Sequence, residues 1–201
     1  MHIKKIVFAT HNTGKIEEVK RLFKDLDIVI VGSEEAGVLE EVIEDGDSFL
    51  ANTLKKARFV QQKTGEWTMA DDSGLCVDAL DGAPGVHSAR WAGDSVPGNR
   101  WVEKLLFEMK DVPEGKRGAH FETSAVLLSL DGQDTMFFTG RVYGDILVQP
   151  RGVAHPRMPY DVVFVPVGYT RTFAEMSQED KNIISHRGLA FLKLRDFVGR
   201  L

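Results

Sequence analysis

An α/β fold built on a mixed β-sheet is predicted by three features of the chain. It opens strand, loop, helix; two long β-rich segments flank a short turn near residues 131–134; and helical periodicity returns at several places around them. With 201 residues the chain is long enough to bury a real core, and residues 1–201 are expected to form a single domain.

Taken in order, Ile6-Val7-Phe8-Ala9 is a β-branched and aromatic run that ends at the turn-rich pentad Thr10-His11-Asn12-Thr13-Gly14. From Lys15 the period changes, and Ile16, Val19, Leu22, Phe23 and Leu26 recur at helical spacing with charged residues between them. Ile28–Val31 reads as a second strand, followed by an acidic, Gly-containing stretch from Ser33 to Asp47. A helix is expected over Ser48–Thr64, with Phe49, Leu50, Leu54, Ala57 and Val60 on one side and Gly65 just past its end. Trp67–Ala70 and Leu75–Leu80 read as strand pieces on either side of Asp71-Asp72-Ser73-Gly74. Pro97 can open a helix to about Lys110, with Trp101, Leu105 and Leu106 apolar.

Phe121–Leu130 and Thr135–Val148 flank Asp131-Gly132-Gln133-Asp134, a hairpin signal. Residues 150–166 hold four of the seven prolines, so a constrained loop is expected there and no regular element. Ser177-Gln178-Glu179-Asp180 resembles a capping box with Asp in the last place, ahead of a short helix. Ser185 can cap a second helix carrying Leu189, Leu192, Leu194, Phe197 and Val198. No repeat, low-complexity tract or flexible linker interrupts this order.

Composition narrows the class. A hydrophobic fraction of 43% and a charged fraction of 27% are ordinary globular values, which excludes disordered, collagen-like and disulfide-scaffold chains. The net charge of -5 argues against a nucleic-acid partner, because a general phosphate-backbone binder carries excess Lys and Arg. The lone cysteine, Cys76, lies in an apolar run, which points to a reducing compartment and a buried structural thiol. The N-terminal apolar run is too short for a signal segment, and no stretch approaches the ~20 apolar residues of a membrane span. A cytoplasmic protein without a membrane partner is expected.

Three segments can carry chemistry. Strand, then Thr10-His11-Asn12-Thr13-Gly14-Lys15, then helix brings backbone amides, a helix N-terminus and a lysine to one point, the outline of a phosphate cradle. It lacks the glycine spacing of a Walker A loop, and on this segment alone an ordinary turn with an exposed lysine is the favoured reading. Asp71-Asp72-Ser73-Gly74 follows a strand end, where α/β sheets place functional groups; in extended chain the two carboxylates point apart, so one can bind a metal while the other supports it. Asp72 with one distant acid such as Glu44 would suit Mg²⁺, although a solvated turn is the plainer reading. His186-Arg187-Gly188 opens the last helix five residues after Lys181, and can meet a base carbonyl or a phosphate, or lie on the surface. In Gly85-Val86-His87-Ser88-Ala89-Arg90-Trp91, Trp91 is expected to pack, and Arg90 is left open.

Together these pieces resemble one family. Phe8–Lys15, Ala70–Leu75, Gly82–Arg90 and Lys181–Gly188 are similar, in order and spacing, to the motifs of the inosine triphosphate pyrophosphatase family, the Ham1-like pyrophosphatases of noncanonical purine nucleoside triphosphates. The resemblance spans residues 6 to about 195. It implies a homodimer with an elongated mixed sheet flanked by helices, two lobes and a central active-site cleft. It implies hydrolysis of ITP, dITP and XTP to monophosphate and pyrophosphate with Mg²⁺. By position, Thr10, His11, Asn12, Thr13, Gly14 and Lys15 would hold the triphosphate, Glu44 and Asp72 the metal, and Ser73 the substrate. Asp72 and Lys15 would be catalytic and Asp71 supporting, while Lys181, His186 and Arg187 would read the purine.

The base loop departs from the family. Where the family has Gly-Phe-Gly-Tyr-Asp-Pro, with its phenylalanine stacked on the base, this chain has Arg157-Met158-Pro159-Tyr160-Asp161-Val162. Met158, Pro159, Tyr160 and Asp161 are therefore expected at the base, with a thioether where the family has a π face. Ala51 also stands where the family often has a glutamate, a charge that Asp45 or Asp47 could replace. These changes leave open a nucleotide-binding protein without turnover, against which the retained Lys15, Glu44, Asp71 and Asp72 speak.

Overall fold

Strand β1 (Lys5–Phe8) is the apolar run expected at the start, and its Ile6, Val7 and Phe8 are wholly buried. Such a run suits a parallel strand covered on both faces. It pairs in parallel with β2 (Val29–Gly32), Ile6 opposite Ile30, and with β3 (Thr68–Val77), Val7 opposite Thr68. The remaining strands are β4 (Gly118–Leu128), β5 (Thr135–Ile146) and β6 (Phe164–Pro166), with β6 antiparallel to β5. The sheet is mixed, in the order β2-β1-β3-β4-β5-β6. This computed structural model describes residues 3–93, 96–155 and 158–201.

The chain forms two compact units. The first comprises the residues up to Asp72 with 123–140 and 187–201; the second comprises 73–122 and 141–186. In the first, α1 (Thr13–Leu22) follows β1, and Lys20 and Arg21 complement the dipole at its C-terminal end. Helix α2 (Phe49–Thr64) is bounded as expected: Ser48 accepts from the Ala51 amide, and Gly65, at φ 63°, takes the left-handed conformation that ends it. One core cluster gathers Ile6, Phe8, Val19, Met69, Leu127 and Phe191. A second joins Val7, Ala9, Val31, Ala57, Val60 and Val126. In the second unit, α3 (Gly98–Glu108), with Pro97 at its cap, packs Val102 and Leu105 with Leu75, Phe121, Phe164 and Phe173. The last helices are α4 (Gln178–Ile184), where Ser177 accepts from the Asp180 amide, and α5 (His186–Val198). No helix among the described residues is long and apolar enough to cross a membrane.

Two expectations need correction. Asp71-Asp72-Ser73-Gly74 is no turn after a strand end but the middle of the ten-residue β3. Acidic residues normally leave a strand for solvent. Here both aspartates are buried among cations and an amide, so the extended backbone can continue through them. The strand stops instead at Val77, where Asp81 (φ 50°) and Gly82 (φ 85°) reverse the chain. The proline-rich stretch also holds regular structure: a 3-10 turn over Pro159–Val162 and the strand β6. Pro166 ends a strand at the sheet margin, where a missing amide costs little. Pro156 and Arg157 of that stretch, and Met1 and His2 of the basic start, lie outside the described residues.

Candidate functional site

Strand geometry organises the chemistry of the first unit. Successive side chains on β3 leave opposite faces, so Asp71 and Asp72 meet different partners. Both oxygens of Asp71 receive the Lys15 ammonium at 2.9 Å. Arg187, near the start of α5, donates Nε to Asp71 Oδ2 at 3.2 Å and Nη1 to Glu18 Oε2 at 3.0 Å. Asp71, Glu18 and Arg187 are all buried, which excludes the surface-pair reading of Arg187. Burial works against ionisation of Asp71, yet Lys15 and Arg187 outweigh it and hold the carboxyl well below the usual aspartate range. Burial draws the Lys15 ammonium down, with Asp71 pulling it back. The Arg187 guanidinium is raised despite burial by Glu18 and Asp71.

Asp72 faces α2. Its Oδ2 accepts from Asn52 Nδ2 at 3.0 Å, and its Oδ1 lies 3.8 Å from Lys56 Nζ. The same ammonium is 3.1 Å from Glu44 Oε2. Burial lifts the Asp72 carboxyl above its ordinary value; Lys56 opposes the shift and the charge of Glu44 adds to it. The two carboxylates named as metal ligands thus converge on one cation.

Around Lys15 the loop is organised by its own side chains. Asn12 Oδ1 accepts from the Gly14 and Lys15 amides at 3.0 and 3.3 Å, which makes Asn12 the N-cap of α1. Thr10 Oγ1 accepts from the Asn12 amide. His11 Nε2 is 3.3 Å from the Glu40 carbonyl, and Thr13 is exposed.

Apart from Arg187, the residues expected at the base belong to the second unit. Lys181 is ion-paired with Asp161, lies 3.1 Å from Met158 Sδ, and stands over the Phe173 ring at 5.4 Å. His186 is buried and stacks on Phe121 with ring centroids 4.7 Å apart and planes 10° from parallel. Tyr160 is a core residue whose hydroxyl donates to the Ser88 carbonyl at 3.1 Å, and burial raises its pKa. Pro159 is buried beside it, and Ser73 is half-buried in β3. Trp91 is half-buried, with the Lys104 ammonium 4.4 Å from its ring. Cys76 is half-buried, and burial pushes its thiol up to about 11.

Three side chains of the site escaped the sequence reading: Glu18, Asn52 and Lys56. A signal existed, since Asn52 and Lys56 are four residues apart on α2, and Glu18 is three from Lys15 on α1. Each pair shares a helix face. Asp45, offered as a replacement for the missing glutamate, pairs with Lys55 on the surface, and Asp47 is exposed.

A divalent cation fits this donor set. No group of three or more His, Cys, Asp and Glu gathers among the described residues. Two carboxylates without imidazole or thiolate suit a hard ion that keeps waters and takes phosphate oxygens.

Comparison with known proteins agrees with the motifs. A sequence profile of the Ham1 family matches residues 6–197. A dITP/XTP pyrophosphatase of Porphyromonas gingivalis is 42% identical over 98% of this chain and 98% of its own. One of Zymomonas mobilis is 44% identical over 94% of this chain and 90% of its own. Among solved structures, a HAM1 protein from Coxiella burnetii superposes with a TM-score of 0.90 and 32% identity, covering 99% of this chain and all of that one.

Proposed function

The chain belongs to the Ham1 family, and on that premise we propose that it hydrolyses ITP, dITP and XTP to the nucleoside monophosphate and pyrophosphate. The observation that carries this reading is the pair Asp71 and Asp72 on β3, the first bonded to Lys15 and Arg187 and the second to Asn52, with Lys56 and Glu44 beside it.

Charge accounting supports a metal. Lys15, Lys56 and Arg187 supply three positive charges against the four carboxylates Glu18, Glu44, Asp71 and Asp72. The cluster therefore has no positive surplus for a triphosphate. Glu44 and Asp72 would hold Mg²⁺, which when bound screens the phosphate oxygens and stabilises charge developing on them. Lys15, fixed by Asp71 at the start of α1, faces the same anion. Asp72 would accept the proton of the attacking water. The new bond joins that water oxygen to the α-phosphorus, and the α–β bridging bond breaks to release pyrophosphate.

Lys181, His186 and Arg187 read the base. With Glu18 and Asp71 fixing Nη1 and Nε, the Arg187 guanidinium has one orientation. Donors placed at the purine 6-position accept hypoxanthine and xanthine, while the amino group of adenine would face them unpaired. A binder without turnover has no need of the metal carboxylates Glu44 and Asp72. A cytoplasmic homodimer without nucleic-acid or membrane partners belongs to the same proposal, and light scattering on the purified protein tests the dimer.

The function is tested by pyrophosphate release from ITP, XTP, dITP, GTP and ATP with Mg²⁺, using wild type and Asp72→Asn. Turnover of ITP, XTP and dITP well above ATP is expected, with a loss of about 100-fold or more in the variant. Equal turnover of ATP and ITP would end the selectivity argument. No release from any of the five would favour a binder.

A further inference from the structure

Asn52 is wholly buried in α2, where an amide needs both its donor and its acceptor met. Its Oδ1 accepts from the Gly46 amide at 2.8 Å, and its Nδ2 donates to Asp72 Oδ2 at 3.0 Å. Gly46 follows Glu44 by two residues, in a segment, 38–46, that has no helix, strand or turn of its own. One planar amide thus ties the backbone beside Glu44 to the carboxylate of Asp72. The approach is close: a Cβ on Gly46 would lie 2.7 Å from Asn52 Oδ1 and 2.9 Å from Ala51 Cβ, so only glycine permits it.

We propose that Asn52 is a positioning residue that sets the separation of Glu44 and Asp72 for a divalent cation, an inference that rests on the reading of those two acids as metal ligands. Lys56 alone does not fix that distance, because a flexible ammonium 3.1 Å from one carboxylate and 3.8 Å from the other tolerates a range of spacings. The amide is rigid and reaches both sides. Partners behind metal ligands typically contribute a factor of about 10–100 in affinity.

The test uses the full chain and Mn²⁺ alone, followed by the loss of the free-ion signal in electron paramagnetic resonance. Asn52→Ala removes both bonds; Gly46→Ala displaces the loop while leaving Asn52 in place. Each is expected to weaken Mn²⁺ binding about 10–100-fold, and raised metal concentration should restore kcat for ITP with KM nearly unchanged. Thermal unfolding is recorded alongside, and if Asn52→Ala does not fold, Gly46→Ala decides. Folded variants that bind Mn²⁺ within about twofold of wild type would overturn the inference and leave Asn52 a packing residue. A different failure marks the underlying reading: if Glu44→Gln and Asp72→Asn bind Mn²⁺ as wild type does, or wild type binds none, the metal assignment falls and this inference with it.

Discussion

Replacing Asp71 by asparagine removes one charge from a buried group that receives Lys15 on both oxygens and Arg187 on one. The side chain is 1% exposed, so water cannot take over its role. Breaking a buried ion pair by deleting one partner costs about 3–5 kcal/mol. The low end applies here, because the amide keeps an acceptor and Arg187 keeps Glu18. For a chain of this size about 3 kcal/mol corresponds to a fall in Tm of roughly 6–12 °C. The pH dependence has a definite sign. The Asp71 carboxyl is depressed in the folded state, so its contribution is full above about pH 4, the ordinary aspartate value, and is lost as pH falls through the depressed one. The gap between wild type and variant should therefore be constant from neutrality down to about pH 4 and narrow below it. Lys15 adds a kinetic signature. Burial lowers its pKa and Asp71 is the chief force holding it up, so without Asp71 its charge is lost at lower pH and KM for ITP climbs earlier as pH rises. Scanning calorimetry between pH 3 and 8 and KM between pH 7 and 9.5 measure both effects. A Tm within about 2 °C of wild type at pH 7 would refute the account of Asp71 as an electrostatic keystone.

The neighbouring aspartate should behave in the opposite way. Asp72 is raised in the folded state, so its ionised form opposes folding at neutral pH; Asp72→Asn should leave Tm unchanged or higher while abolishing pyrophosphate release, as calorimetry and the release assay will show. Met158→Phe should lower KM for ITP by about 10–100-fold, since base stacking on an aromatic ring is worth ~1–3 kcal/mol; an unchanged KM would mean that Met158 does not meet the base. Cys76, with its thiol near 11, should alkylate with iodoacetamide at pH 8 roughly 100 times more slowly than free cysteine in the folded chain, and at the ordinary rate in denaturant.

How much of this could be read from the sequence follows from the range of the forces involved. Helix α2 was legible at both ends because its signals are local: Ser48 bonds an amide three residues on, and Gly65 needs only its own backbone freedom. The apolar run of β1 and the period change after Lys15 are local in the same way. Strand β3 was misread because its continuity is not local. Two adjacent aspartates predict a turn unless Lys15, Arg187, Asn52 and Lys56 arrive from distant segments to meet them, and that meeting is a property of the fold. Glu18 was passed over for a related reason: a glutamate among charged residues of a helix looks solvated until Arg187, 169 residues away, is known to bury it. The proline-rich stretch hid β6 because proline content argues against a strand, whereas a marginal strand of three residues can end in one.

The adjacent aspartates also explain why one short motif can serve two opposed physical demands. A site for an anion and its cation needs a rigid positive group and a carboxylate ready to accept a proton, and the same environment cannot supply both. In a turn, the two acids would share solvent and titrate alike. In an extended strand they are separated by the alternation of the backbone itself. Asp71 is surrounded by cations and becomes a fixed counterion that holds Lys15 and Arg187 in place. Asp72, buried with Glu44 nearby, is lifted above its ordinary value although Lys56, the Asn52 amide and Lys15 oppose the shift. The strand that defeated the local reading of Asp71 and Asp72 is therefore also what makes them chemically different.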